Sequence, residues 1–86
     1  MTLQIDSSNP VRLTSQYRSF RDVLVPRLRA LRNFQALSQE DLAEKAGVGR
    51  TTIARGEHGE HIRPSSVRKI ARALGVRPHE LQQPLD

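Results

Sequence analysis

Ser38-Gln39-Glu40-Asp41-Leu42-Ala43-Glu44-Lys45-Ala46-Gly47-Val48-Gly49-Arg50-Thr51-Thr52-Ile53-Ala54-Arg55-Gly56-Glu57-His58 is the stretch that decides the fold. Ser38 followed three residues later by Asp41 is a capping box: the hydroxyl takes a first-turn N–H and the carboxylate reaches back. Glu40 and Asp41 also suit the positive end of a helix dipole. Leu42, Ala43 and Ala46 supply an inner face, and Gly47 stops the helix in a left-handed conformation. Val48-Gly49 is a linker, and a second helix is expected from Arg50 to about His58. Small Ala43 lets the two helices cross closely, with Val48 and Ile53 filling the wedge between them.

On a helical wheel at about 100° per residue, Arg50, Ala54, His58, Thr51 and Arg55 share one side of the second helix, and Ile53 and Gly56 the other. The outer face carries no acid. A helix of this kind enters a DNA major groove, where an arginine makes a paired contact to O6 and N7 of guanine and a threonine meets a thymine methyl or an acceptor. A solvated surface helix that merely lacks acids has the same composition, so the face needs its context. Two helices joined through a three- to four-residue turn with Gly are a helix-turn-helix.

Outward from this unit the chain remains helical. Leu24, Leu28 and Leu31 recur at i, i+4 and i+7 and predict a helix over about 22–35. Pro26 is either its first residue, or a kink in a longer helix opened by Ser19 and Asp22. Residues 59–64 form a loop closed by Pro64. Ser65 or Ser66 caps a further helix whose Val67, Ile70, Ala71 and Leu74 face inward, ended by Gly75. Pro78 opens a last short helix anchored by Leu81. The fold class expected is all-α: a compact five-helix domain over 21–83, preceded by an N-terminal arm over 1–20 and followed by a tail over 84–86. Leu3/Ile5 and Val11/Leu13 in the arm alternate with polar residues around Asp6-Ser7-Ser8-Asn9-Pro10. A short strand and a flexible tail are both open there.

The 86 residues suffice for one small core. Lys and Arg number 14 against 9 acids, for a net charge of +5. Six of the bases (Arg12, Arg18, Arg21, Arg27, Arg29, Arg32) fall in the first 37 residues beside two acids, Asp6 and Asp22. That balance favours a polyanionic partner, though a solubilising surface explains it as well. The arm's Arg12, Arg18 and Arg21 suit a minor groove, phosphates or a second subunit. With no cysteine there is no disulfide, thiolate zinc site or cysteine nucleophile. No spanning segment or secretory signal is read, so the expectation is a cytoplasmic protein with no membrane partner. No nucleophile motif frames the Ser, His and Asp residues, so no enzyme and no cofactor are expected. His58, Glu60 and His61 do not have zinc-peptidase spacing, and no metal is expected there.

The segment from Leu28 to Leu81 resembles the phage repressor and Cro family of helix-turn-helix domains, also called XRE-like. The pieces that carry the resemblance are LSQEDLAEKAGV, the TTIAR-x-E-x-G stretch, and KIARALGV followed by a short EL helix. It implies base-reading roles for Arg50, Thr51 and Arg55. It implies phosphate contacts for Gln39, at a helix N-terminus, and for Arg63 before Pro64, with His58 near the same loop as a further candidate. Arg32 and Glu57 match a structural ion pair. The function implied is a sequence-specific double-stranded-DNA-binding transcriptional regulator. It would be a repressor acting as a homodimer on a pseudo-palindromic operator. The alternative is an antitoxin or other interaction module of the same fold, with a toxin or other protein as partner. Three residues depart from the family pattern. Ala36 stands where Gly is common, so the first helix is open to a different ending. Gly49 stands where a capping Ser or Thr is usual. Gly56 replaces a large apolar residue, leaving a small hole that Phe34 or the arm is a candidate to fill.

Overall fold

The computed structural model describes residues 21–85. The arm over 1–20, with Arg12, Arg18 and Ser19, lies outside the described residues, as does Asp86. Five helices follow one another: α1 (Leu28–Phe34), α2 (Gln39–Ala46), α3 (Arg50–Glu57), α4 (Pro64–Leu74) and α5 (Pro78–Gln82). The fold is all-α, as expected. Extended pairing among the described residues is confined to one antiparallel bridge between Val23 and Ile62.

That bridge corrects the expected start of the first helix. Residues 22–27 are not helical; α1 begins only at Leu28, with Arg27 as its N-cap. Val23 N donates to Ile62 O at 2.9 Å and Ile62 N to Val23 O at 2.8 Å. These bonds satisfy the backbone in an extended conformation and outweigh the local helical pattern. Pro26 therefore lies in a turn before the helix, neither opening nor kinking it. The apolar stripe shifts with it: Leu24 is 41% exposed, whereas Val25 is 1% exposed and belongs to the core. α4 also starts earlier than either serine would place it. Arg63 is its N-cap and Pro64 its first residue, where the missing N–H of proline leaves no bond unmade.

α2 packs against both α3 and α4. The small, buried side chains of Ala43 and Ala71 suit such close crossings. Around them Leu28, Leu42, Ile53, Ile70 and Leu81 are fully buried, each stabilising the fold by roughly 1.5–3 kcal/mol. α5 is held to the α1 end of the domain by Arg27, whose N donates to Leu81 O at 3.2 Å and whose Nη2 donates to Pro84 O at 3.0 Å.

Four helices close in the same manner. A residue in the left-handed region follows the last turn, and its successor donates to the carbonyl five positions back. The pairs are Leu37 to Arg32 (3.2 Å), Val48 to Ala43 (3.0 Å), Glu60 to Arg55 (3.0 Å) and Val76 to Ala71 (3.0 Å). This is the Schellman ending, in which the successor's side chain usually packs an apolar group back on the helix. The left-handed residues are Ala36, Gly47, Gly59 and Gly75. Ala36, at φ 59°, takes the conformation that glycine would, so α1 ends as a glycine-closed helix would. For alanine that conformation costs about 1–2 kcal/mol, part of which glycine would forfeit through its freer unfolded chain. Ala36→Gly is expected to stabilise the protein by about 0.5–1 kcal/mol, read as a rise in denaturation midpoint.

No hole is left at Gly56. A Cβ built there would stand 2.9 Å from Val25 Cγ2 and 3.0 Å from Leu28 Cδ2, so the extended segment and α1 already occupy the space. Phe34 takes no part; it is 88% exposed. Restoring a large apolar residue should therefore overpack the core. Gly56→Leu is expected to destabilise by about 2–3 kcal/mol, and a thermal melt showing an equal or higher midpoint would refute this packing.

Candidate nucleic-acid interface

The start of α2 is set by its cap. Ser38 Oγ accepts from Asp41 N at 2.9 Å, and Ser38 N donates to Asp41 Oδ2 at 3.1 Å. The Ser38 backbone N–H, and then its hydroxyl, hold the Asp41 carboxyl below its ordinary value. α2 ends at Gly47, and Val48 and Gly49 carry the chain to Arg50. Gly49 caps α3 in an extended conformation without a side-chain bond.

α3 separates its two sides as the wheel predicts. Ile53 and Gly56 are buried. Arg50, Thr51, Arg55 and His58 are exposed, and Ala54 is half-buried between the two groups. Arg63, exposed, follows the loop that leaves α3 and caps α4. α3 thus presents Arg50, Thr51 and Arg55 outward, with His58 at its C-terminal end.

Behind this face, α1, α2 and α3 meet at one carboxylate. Arg32 donates from Nε to Glu57 Oε2 and from Nη2 to Oε1 at 2.9 Å. Its Nη1 reaches Leu37 O at 2.7 Å. The Glu57 side chain is 1% exposed and that of Arg32 13%. Two further donors reach Glu57 Oε1: Gln39 Nε2 at 3.0 Å and Arg29 Nε at 3.3 Å. Burial pushes the Glu57 carboxyl up, but the bonds from Arg32 and Gln39, the Arg32 charge and the Arg29 bond together hold it below its ordinary value. Glu57 in turn raises the Arg32 guanidinium through the same bond.

Sequence reasoning put Gln39 and Arg32–Glu57 in separate roles. The structure brings them together and adds Arg29. Arg29 precedes Arg32 by one helical turn, and that spacing is the signal that could have found it. It also missed Glu60, whose carboxylate stands 4.0 Å from Arg55 Nε. Among the described residues no group of three or more His, Asp or Glu is placed to hold a metal ion. None of the helices there is long and apolar enough to cross a membrane.

Two short helices set across a three-residue turn, the second with an exposed outer face that carries two arginines, are the architecture of a DNA-binding regulator. Residues 28–81 match the helix-turn-helix family model, and the chain belongs to that family, in its XRE-type branch. It is a DNA-binding transcriptional regulator. The solved structures that resemble it include the following two. The restriction-modification controller protein C.AhdI from Aeromonas hydrophila is 39% identical over 64% of this chain and 85% of that one, with a TM-score of 0.61. A hypothetical transcription factor, NHTF from Neisseria, is 36% identical over 77% of each chain, with a TM-score of 0.65. No curated protein matches.

Proposed function

We propose that this protein is a sequence-specific repressor. It acts in the cytoplasm as a homodimer and reads a pseudo-palindromic double-stranded operator with α3. The observation that carries the reading is the exposed run of Arg50, Thr51 and Arg55 on a helix whose opposite side is buried. Arg50 and Arg55 would each take a guanine, and Thr51 a thymine methyl or a base acceptor. Positioning would fall to the backbone contacts. Gln39, at the first turn of α2, uses one amide proton on Glu57 and keeps the other for a phosphate, which the helix N-terminus also attracts. Arg63 and His58 would hold phosphates on the far side of α3. A single recognition helix spans few base pairs, so two copies are needed for a site of useful length. The likeness to a restriction-modification controller makes the genes of such a system the first place to look for the operator.

The test is selection from a random duplex pool at about 150 mM salt, where counterion competition suppresses binding to phosphates alone. The result expected is a pseudo-palindrome with half-sites about 10–10.5 base pairs apart, bound by two chains as judged by the mass of the complex. Enrichment of no sequence, with only weak salt-sensitive binding, would overturn the proposal.

A further inference from the structure

The ending of α3 differs from the other three of its kind in one residue. At α1, α2 and α4 the residue after the left-handed position is apolar and packs against the core: Leu37, Val48 and Val76. At α3 that residue is Glu60, and it is exposed. The backbone closure is the same: Glu60 N donates to Arg55 O at 3.0 Å and Gly59 N to Gly56 O at 3.3 Å, with Gly59 at φ 94°. This ending brings the folded-back side chain next to the residue five positions earlier. Where the other helices use it to pack an apolar group, α3 uses it to set a carboxylate 4.0 Å from the Nε of Arg55.

Both side chains are largely exposed, at 62% and 49%, and such a pair contributes little to stability. Its effect lies in orientation. A guanidinium is a rigid planar fork. The Glu60 carboxylate stands on the Nε side of Arg55 at ion-pair distance, without a hydrogen bond; a guanidinium drawn to it by that side leaves its two Nη groups on the other as a matched pair of donors. That pair is what O6 and N7 of a guanine require. A long cationic side chain without such a tether also reaches phosphates, which hold the protein on DNA but carry no sequence information. A carboxylate at the rim of the groove further repels phosphates, so any duplex lacking the correct base gains less from this part of the surface. When water leaves the groove on binding, the Glu60–Arg55 attraction strengthens as the local dielectric falls.

We propose that Glu60 is a specificity-determining residue: folded back by the ending of α3, it holds Arg55 by Nε so that its Nη pair reads a base and not a phosphate. The inference rests on the base-reading role proposed for Arg55. Removing the charge should therefore act on discrimination, not uniformly on affinity. Glu60→Gln keeps size and exposure, and its thermal midpoint should match that of the parent protein.

The experiment measures binding of the full chain, Glu60→Gln, Arg55→Ala and the double variant to three duplexes. These are the selected operator, the operator with the base pair read by Arg55 replaced, and a random sequence. Glu60→Gln should bind random duplex about three- to tenfold more tightly, with a salt slope steeper by about one per bound chain for the added phosphate contact. Its preference at the Arg55 base pair should fall by about three- to tenfold. In the Arg55→Ala background the same change should leave that preference unaltered. Tighter binding to all three duplexes by one common factor would make Glu60 a merely repulsive charge and overturn the inference. So would a preference lost at a different base pair, which would assign Glu60 to a base of its own. A parent protein that selects a sequence, with Glu60→Gln selecting it equally well, overturns this inference alone. A parent protein with no preference at any base pair overturns the proposed function, and this inference with it.

Discussion

Arg50→Ala and Arg55→Ala are each expected to weaken operator binding by the homodimer by about a hundred- to ten-thousandfold, the worth of one paired arginine–guanine contact in each half-site. Each should relax preference at one base pair of each half-site. Both side chains are exposed, so neither change should move the thermal midpoint by more than the roughly 0.5 kcal/mol usual for surface substitutions. The double variant should keep only the small preference that Thr51 supplies, because what remains besides it is contact with the backbone. Arg63→Ala gives the contrasting result: a loss shared by all sequences, with a salt slope shallower by about one per bound chain. Titrations of the four proteins on operator and random duplex at several salt concentrations separate the two behaviours. An Arg50/Arg55 double variant that prefers the operator as strongly as the parent protein would remove α3 from the reading role.

The second large effect is on the fold. Glu57→Gln takes away the charge that Arg32 and Arg29 face, leaving a guanidinium only 13% exposed without its counter-ion. Breaking a buried pair from one side costs about 3–5 kcal/mol; the remaining bond of Arg32 to Leu37 O places this case near about 3 kcal/mol. In a domain of this size that lowers the thermal midpoint by roughly 12–24 °C. The pair has a pH signature too. The folded-state pKa of Glu57 lies below its ordinary value. The stability it brings is therefore fully present above the unfolded carboxyl value, about 4.3, and is lost as pH falls through the folded value. The parent protein should lose stability steeply below about pH 4. Glu57→Gln should be less stable at neutral pH and fall less steeply on acidification, with Asp41 supplying part of the slope that remains. Denaturant melts from pH 3 to 7 would show it; parallel curves for the two proteins would mean that Glu57 is not held ionised.

The parts of this molecule that are legible in its sequence are those decided by neighbours a few residues apart. The capping box of Ser38 and Asp41, the stop at Gly47 and the two sides of α3 follow from spacings of three and four, and the structure has them where those spacings put them. The start of α1 was not legible in this way. It depends on Val23 pairing with Ile62 from the other side of α3, and no local pattern announces a partner that distant. The same long-range packing misled the reading of Gly56. A missing side chain implies a hole only when the surroundings stay put, and here Val25 and Leu28 have closed in. At the candidate site the arginines are visible on a wheel, but Glu60 is not, because it belongs to the loop in sequence and reaches Arg55 only through the fold-back of the helix end.

Arg27 joins the beginning of α1 to the end of α5, bonding residues as far apart as Arg27 and Pro84, separated by 57 positions. Contacts of that span close late in folding, since the intervening chain must order first. Most of the domain is otherwise built from neighbours in sequence and should assemble early. The order of events then has a bearing on α3. The floor beneath Gly56 is made of Val25 and Leu28, which flank Arg27 in the chain, so α3 acquires its final seat only when this clasp shuts. Amide exchange near the native state should show the Arg27–Leu81 and Val23–Ile62 bonds opening together, ahead of the interior of α2. The helix that carries Arg50 and Arg55 would then pass from a loose mounting to a rigid one in a single late step.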